Sequence, residues 1–148
     1  MLPRVPTLPG RPIGLRVAVT AKAVRRAFDE ALVEAGGSLP TWLVLVSVKG
    51  AAAGNQRELA DAAGIKGATL THHLNALEKA GLVTRRRDPD NRRVHVVELT
   101  SSGEALFQKL RGAAAAFDKR LRTGLTDAEV AGLARLLDRL SENAGLAR

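Results

Sequence analysis

A mainly α fold with one small β element is what this sequence predicts, on three observations. Asn55 with Glu58 three residues on is a capping box that starts a helix at Gln56. Gly64 ends that helix, and the tight turn Ile65-Lys66-Gly67 leads into a second one that Gly81 stops. Two β-like runs follow at once, Leu82 to Arg87 and Val94 to Leu99, around the polar turn Asp88-Pro89-Asp90-Asn91. A hairpin placed directly after a helix-turn-helix is a wing. The expected fold is therefore α+β, a winged helix-turn-helix over residues 38–100 with amino- and carboxy-terminal dimerisation helices over 13–37 and 101–148. Residues 13–148 form a single domain on this reading, preceded by an arm over 1–12.

The arm carries Pro3, Pro6, Pro9 and Pro12, a spacing of three that suits an extended polyproline-like segment and forbids a helix. From about Ile13 to Ala35 the pattern turns helical, with Ile13, Val17, Ala21, Val24, Phe28 and Leu32 forming one apolar stripe. Gly36-Gly37 ends it. Ser38 is the expected N-cap of the next helix, with Leu39 and Pro40 in its first turn. The stretch TWLVLVSVKG is apolar nearly all round and should be deeply buried.

In the second helix of the helix-turn-helix, Leu70, Leu74 and Leu77 share one side and define the buried face. Ala68, His72, Asn75, Ala76 and Lys79 lie opposite, flanked by Thr69 and Thr71, and none of these is acidic. Short side chains admit a helix to a DNA major groove, and Thr, Asn and His can read base edges there. Glu78 falls nearer the inner side. The wing tip, with Arg87 before the turn and Arg92-Arg93 after it, is narrow and positive, which suits a minor groove. On the return strand, His95, Val97 and Leu99 share one face and Val94, Val96 and Glu98 the other; Val97 and Leu99 are expected to pack inward.

Thr100 caps a helix to about Arg122, with Leu106, Leu110, Phe117 and Leu121 along one side. Thr126 with Glu129 is another capping box, and Val130, Leu133, Leu136, Leu137 and Leu140 follow at helical spacing. These helices and the first one offer more apolar surface than a compact winged helix covers. The surplus predicts a twofold homodimer, which would read two half-sites about one helical turn apart.

Composition supports an anionic partner. The formal net charge is +8, residues 1–27 hold six basic and no acidic side chains, and the wing holds five arginines against two aspartates. The absence of cysteine excludes disulfides and a thiol redox switch. No apolar run approaches the roughly 18 residues of a membrane span and no secretory signal pattern opens the chain, so no membrane partner and a cytoplasmic location are expected. No nucleotide-binding glycine loop occurs, and Ser47, Ser101, Ser102 and Ser141 lack an evident base, so the chain is not expected to be an enzyme. Neither a cofactor nor a metal is implied, because His72 and His73 point about 100° apart on a helix and cannot chelate one ion together.

The residues also resemble a known family. ELADAAGI, then TLTHHLNALEKAGLVTRRRDPDNRRVHVVELTSSGEAL, is similar to the multiple-antibiotic-resistance regulator (MarR) family, and the resemblance covers roughly residues 13 to 145. Its specific part is GLV-x-R, a D-P-x-x-R-R turn, a strand and LT-x-x-G. It implies a homodimeric winged-helix transcription regulator, mostly a repressor, whose affinity for double-stranded DNA falls when a small, often phenolic, ligand binds between the dimerisation and DNA-binding regions. It places Thr69, Thr71, His72 and Asn75 at base- or phosphate-contacting positions and matches Arg93 to the arginine that enters the minor groove. Lys66, Lys79, Arg87 and Arg92 complete the expected DNA-binding set.

Two positions depart from the family pattern. Asn91 stands where Asp is usual two residues before the wing arginine, and His73 stands where the family tends to be apolar. The angle of His73 turns it toward the region where family ligands bind. Trp42, the single tryptophan, is expected in the core or as a pocket wall, and in the second case Phe28, Trp42, His73 and the basic first helix surround a small aromatic or amphipathic effector. Two other readings stay open from the residues alone: a sequence-independent architectural DNA-binding protein, and a winged-helix protein–protein interaction module. Competition between a selected site and random duplex separates them.

Overall fold

The computed structural model describes residue 10 and residues 12–50, 66–91 and 95–145. In chain order these form α1 (Ile13–Glu34), α2 (Leu39–Gly50), α3 (Gly67–Lys79), β1 (Val83–Arg87), β2 (His95–Leu99), α4 (Ser101–Leu121) and α5 (Asp127–Asn143). The expected arm and the expected helix from Gln56 to Gly64 lie outside the described residues. The chain divides into two compact units, Met1–Ala114 and Ala115–Arg148.

The first unit is built around α2. Leu39, Val44, Leu45 and Val48 on that helix join Leu32 of α1, Leu70, Leu74 and Leu77 of α3, Val83 and Val97 of the hairpin, and Phe107 and Leu110 of α4 in one core. A helix apolar on nearly every side finds this central place because each exposed side would otherwise leave about 25 cal/mol per Å² of apolar surface in water. The apolar stripe of α1 behaves differently along its length. Leu32 is fully buried and Phe28 packs against the core, whereas Ile13 is 61% exposed.

Local chemistry sets the ends of the elements. The Ser38 hydroxyl accepts the Thr41 N–H, as expected of an N-cap, and the Asp29 carboxylate accepts the Leu39 N–H at 2.8 Å. Asp29 sits ten residues upstream on α1, so the start of α2 is tied to α1 by a charge-assisted bond that no local pattern announces. At the end of α3, Gly81 has φ +75, and the Leu82 N–H returns to the Leu77 carbonyl at 2.9 Å, a glycine-terminated helix stop.

β1 and β2 form a two-stranded antiparallel sheet with Val83 opposite Leu99, Arg85 opposite Val97 and Arg87 opposite His95. Val83 and Val97 are buried, as the alternation requires. Val96, expected on the outer face, is buried as well. It lies directly across from Arg86, whose guanidinium is held by Glu98 at 2.9 Å, so a long arginine stem is fixed over that face.

The second unit comprises the end of α4 and the whole of α5. The Thr126 hydroxyl accepts the Glu129 N–H at 3.1 Å, and the Glu129 carboxylate accepts the Thr126 N–H at 3.1 Å, so the predicted capping box is formed. The Thr126 N–H, and after it the Thr126 side chain, hold the Glu129 carboxyl below its ordinary pKa of 4.5. A lowered folded-state pKa contributes stability above the unfolded value that is lost as the pH falls through the folded one, so this cap should loosen in acid. Thr126→Ala is expected to weaken the cap, and Glu129→Gln, which removes the titrating carboxyl, to flatten the acid dependence, read by denaturant melts at neutral and acid pH.

Candidate nucleic-acid interface

α3 presents the two faces that its periodicity predicts. Leu70 and Leu74 are fully buried and Leu77 nearly so, while Ala68, Thr69, His72, Asn75, Ala76 and Lys79 are exposed, and Glu78, expected nearer the inner side, is exposed too, drawn out by its pair with Arg85. Lys66 precedes the first turn in extended conformation and is exposed. The outer face of the helix is therefore short-chained and polar, with a lysine near each end.

Thr71 is half-buried rather than free on the flank. Its hydroxyl donates to the Gly67 carbonyl of its own helix at 3.0 Å. The rings of His72 and His73 stand 5.8 Å apart and tilted by 59°, with His72 exposed and His73 half-buried. No group of three or more potential metal ligands occurs among the described residues.

Arg85, which the sequence reasoning did not single out, links α3 to the wing. It is only 18% exposed; it donates to Oδ1 of Asn75 and to both carboxylate oxygens of Glu78, at 3.1 and 3.4 Å. Its position was legible in principle. Arg85 shares its strand face with buried Val83, and an arginine turned inward needs an acid. Glu78 is the one acidic residue on α3, so the pairing follows from strand parity and helix composition together.

At the wing, Arg87 is exposed at the end of β1, and the Asp88 carboxylate accepts the Asp90 N–H at 2.8 Å, which shapes the turn before Asn91. Arg92 and Arg93 lie outside the described residues. With Arg85 and Arg86 committed to Glu78 and Glu98, Arg87 is the β1 arginine that makes no ion pair among the described residues. Two of the five wing arginines are therefore paired locally.

The residues expected around an effector are placed as follows. Trp42 and Phe28 both pack against the core, and the Trp42 ring stacks on Phe107 at 5.7 Å and 14°. A cleft of about 360 Å³ opens between α1 and α2, lined by Lys22, Arg25, Arg26, Asp29, Leu39 and Pro40. Arg26 is paired with Glu30, and Asp29 is committed to the Leu39 N–H, but Lys22 and Arg25 make no ion pair among the described residues. No single helix among the described residues is long and apolar enough to cross a membrane.

Comparison with known proteins adds to this geometry. Residues 38–95 match the MarR family model. The fold is similar to that of a mutant MarR from E. coli complexed with operator DNA, with 27% identity over 87% of this chain and 93% of that one and a TM-score of 0.79. It is similar to the transcriptional repressor CouR bound to a 23-mer DNA duplex, at 25% identity over 88% and 92% of the two chains and a TM-score of 0.80. It is similar also to CouR from Rhodococcus jostii RHA1 bound to p-coumaroyl-CoA, at 28% identity, 92% and 94% coverage and a TM-score of 0.75.

Proposed function

We propose that this chain, which carries the MarR-family winged helix, is a sequence-specific DNA-binding transcription regulator, a repressor that acts as a homodimer and is released by a small ligand. The observation that carries the reading is the outer face of α3, where Ala68, Thr69, His72, Asn75 and Ala76 are exposed beside a two-stranded wing and the one acid of the helix, Glu78, is paired with Arg85. The two relatives held on DNA support it, since they share this fold over most of their length. In the proposed roles, Thr69, Thr71, His72 and Asn75 face the major groove, Lys66 and Lys79 meet phosphate at either end of α3, and Arg87, Arg92 and Arg93 lead the wing into the minor groove.

Selection of bound fragments from random duplex tests the reading. A regulator enriches a pseudo-palindromic site and prefers it to random duplex by about a thousandfold or more. An architectural protein shows no such preference, and a protein–protein module binds neither DNA. Within the regulator reading, Arg93→Ala should weaken binding to every duplex and reduce the slope of log affinity against log salt by about one. If affinity and slope both stay as in the wild type, the wing does not contact DNA.

The ligand side of the reading rests on the α1–α2 cleft. Its volume lies in the range of small-molecule sites, and Lys22 and Arg25 favour an anionic effector. The relative bound to p-coumaroyl-CoA, an anionic thioester, fits that chemistry. Lys22→Glu combined with Arg25→Glu is expected to raise the anionic effector concentration needed for release by about tenfold or more. Release at unchanged concentration would remove the cleft from the mechanism.

A further inference from the structure

The Arg85 bridge has a consequence for which bases α3 can read. A guanidinium is a donor with no acceptor, so the atom of the Asn75 amide that faces it has to be the carbonyl oxygen Oδ1. The amide nitrogen Nδ2 is then the end turned away. Glu78, one turn further along α3, accepts from the same guanidinium at 3.1 Å and holds it in place from the other side. Asn75 itself is exposed on the outer face. A side chain that would otherwise rotate between two presentations is therefore fixed in one.

Resting on the DNA-binding reading above, we infer that Arg85 is a specificity-determining positioning residue that turns Asn75 into a donor, directed at the O6/N7 edge of guanine and away from adenine. An asparagine pairs with adenine by giving Nδ2–H to N7 and accepting the N6 amino hydrogen on Oδ1. Here Oδ1 is turned to the guanidinium rather than to the base, so the adenine amino hydrogen would face the Nδ2 donor and find no acceptor. Guanine offers two acceptors and no donor on that edge, which matches an amide that presents only its N–H donors. Glu78 acts through Arg85 by pinning the guanidinium and needs no contact with DNA.

The test compares sites enriched from random duplex by the wild type, Asn75→Ala and Arg85→Gln, each first checked for a wild-type melting transition. The expected result is one position per half-site where the wild type prefers guanine by about tenfold, a preference lost in Asn75→Ala and shifted toward adenine in Arg85→Gln. A second measurement needs only the wild type and Asn75→Ala. Replacing that guanine by 7-deazaguanine, which lacks the N7 acceptor, should weaken wild-type binding severalfold and leave Asn75→Ala unaffected. Adenine at the Asn75-dependent position, or an unaltered guanine preference in Arg85→Gln, overturns the assignment while leaving the regulator reading intact. A wild type that enriches no site overturns both.

Discussion

Gly103→Ala should remove much of the stability of the winged-helix unit, although it places the better helix former inside a helix. A Cβ at this position would lie 2.0 Å from the Leu82 carbonyl oxygen and 3.0 Å from its carbon. The obstacle is backbone, so no rotamer change relieves it. Moving the first turn of α4 away also loosens the bonds that seat it: Thr100 N–H to the Leu82 carbonyl at 3.1 Å, and the Thr100 hydroxyl to the Gly81 carbonyl at 2.6 Å. The same hydroxyl accepts the Gly103 N–H, so one threonine closes the junction from both sides. The expected loss is roughly 3 kcal/mol or more, a large part of the ~5–15 kcal/mol available to a domain. In a chain of this size it would lower the melting midpoint by on the order of 10 °C.

Gly112→Ala is the matched control. It lies on the same helix with nothing within 4 Å of an added Cβ, and it should gain up to about 1 kcal/mol. Opposite signs at the two glycines would show that close backbone approach, and not helix propensity, sets the residue at 103. A neutral Gly103→Ala would mean that the junction between the end of α3 and the start of α4 is not as tight as described.

That junction also gives a physical reason for a pattern visible in the sequence, the LT-x-x-G run after the return strand. Thr100 caps, and Gly103 is the residue that must lack a side chain three positions later. Other features were legible for similarly local reasons. The leucines of α3 and the Thr126–Glu129 box depend on spacings of three and four, which the helix repeat alone imposes. The hairpin limits follow from alternation and from a turn rich in Asp, Pro and Asn.

What could not be read depends on partners far apart in the chain. Asp29 caps α2 from the body of α1, and the Trp42 stack needs Phe107 from α4. Strand parity points Arg85 to Glu78, but its bond to Asn75 depends on how α3 packs against β1, and that bond sets the presentation of Asn75. The valine at 96, placed on the outer face by alternation, is buried across from Arg86. Net charge is visible in the composition, but which charges are neutralised locally is decided by packing.

Leu136→Asp carries the second large effect, this time on assembly and DNA affinity rather than on folding of the first unit. Not one residue of α5 is buried, although its capping box is fully formed. Leu136 is 64% exposed, Leu133 48% and Leu137 44%, and with Val130 and Leu140 they form a single stripe along the helix. A helix of this length is marginal in water by itself, so such a stripe calls for a cover. Two copies meeting about a twofold axis supply one with the same surface on both sides. In the first unit, Ile13, Leu15 and Val19 of α1 are likewise more than half exposed.

An aspartate at 136 would enter such an interface twice, once from each copy, where an unpaired buried charge is heavily penalised. Sedimentation should then show a monomer, and emission from Trp42, the single tryptophan, should keep its native form because that residue reports the first unit. Affinity for a two-half-site duplex should fall by about a thousandfold or more, toward that of one half-site, with the salt slope roughly halved because half the phosphate contacts are lost. A dimer that survives the substitution would move the interface off this stripe. A monomer that still binds the full site with wild-type affinity and slope would mean that one wing and one α3 suffice, and the twofold arrangement would have no part in recognition.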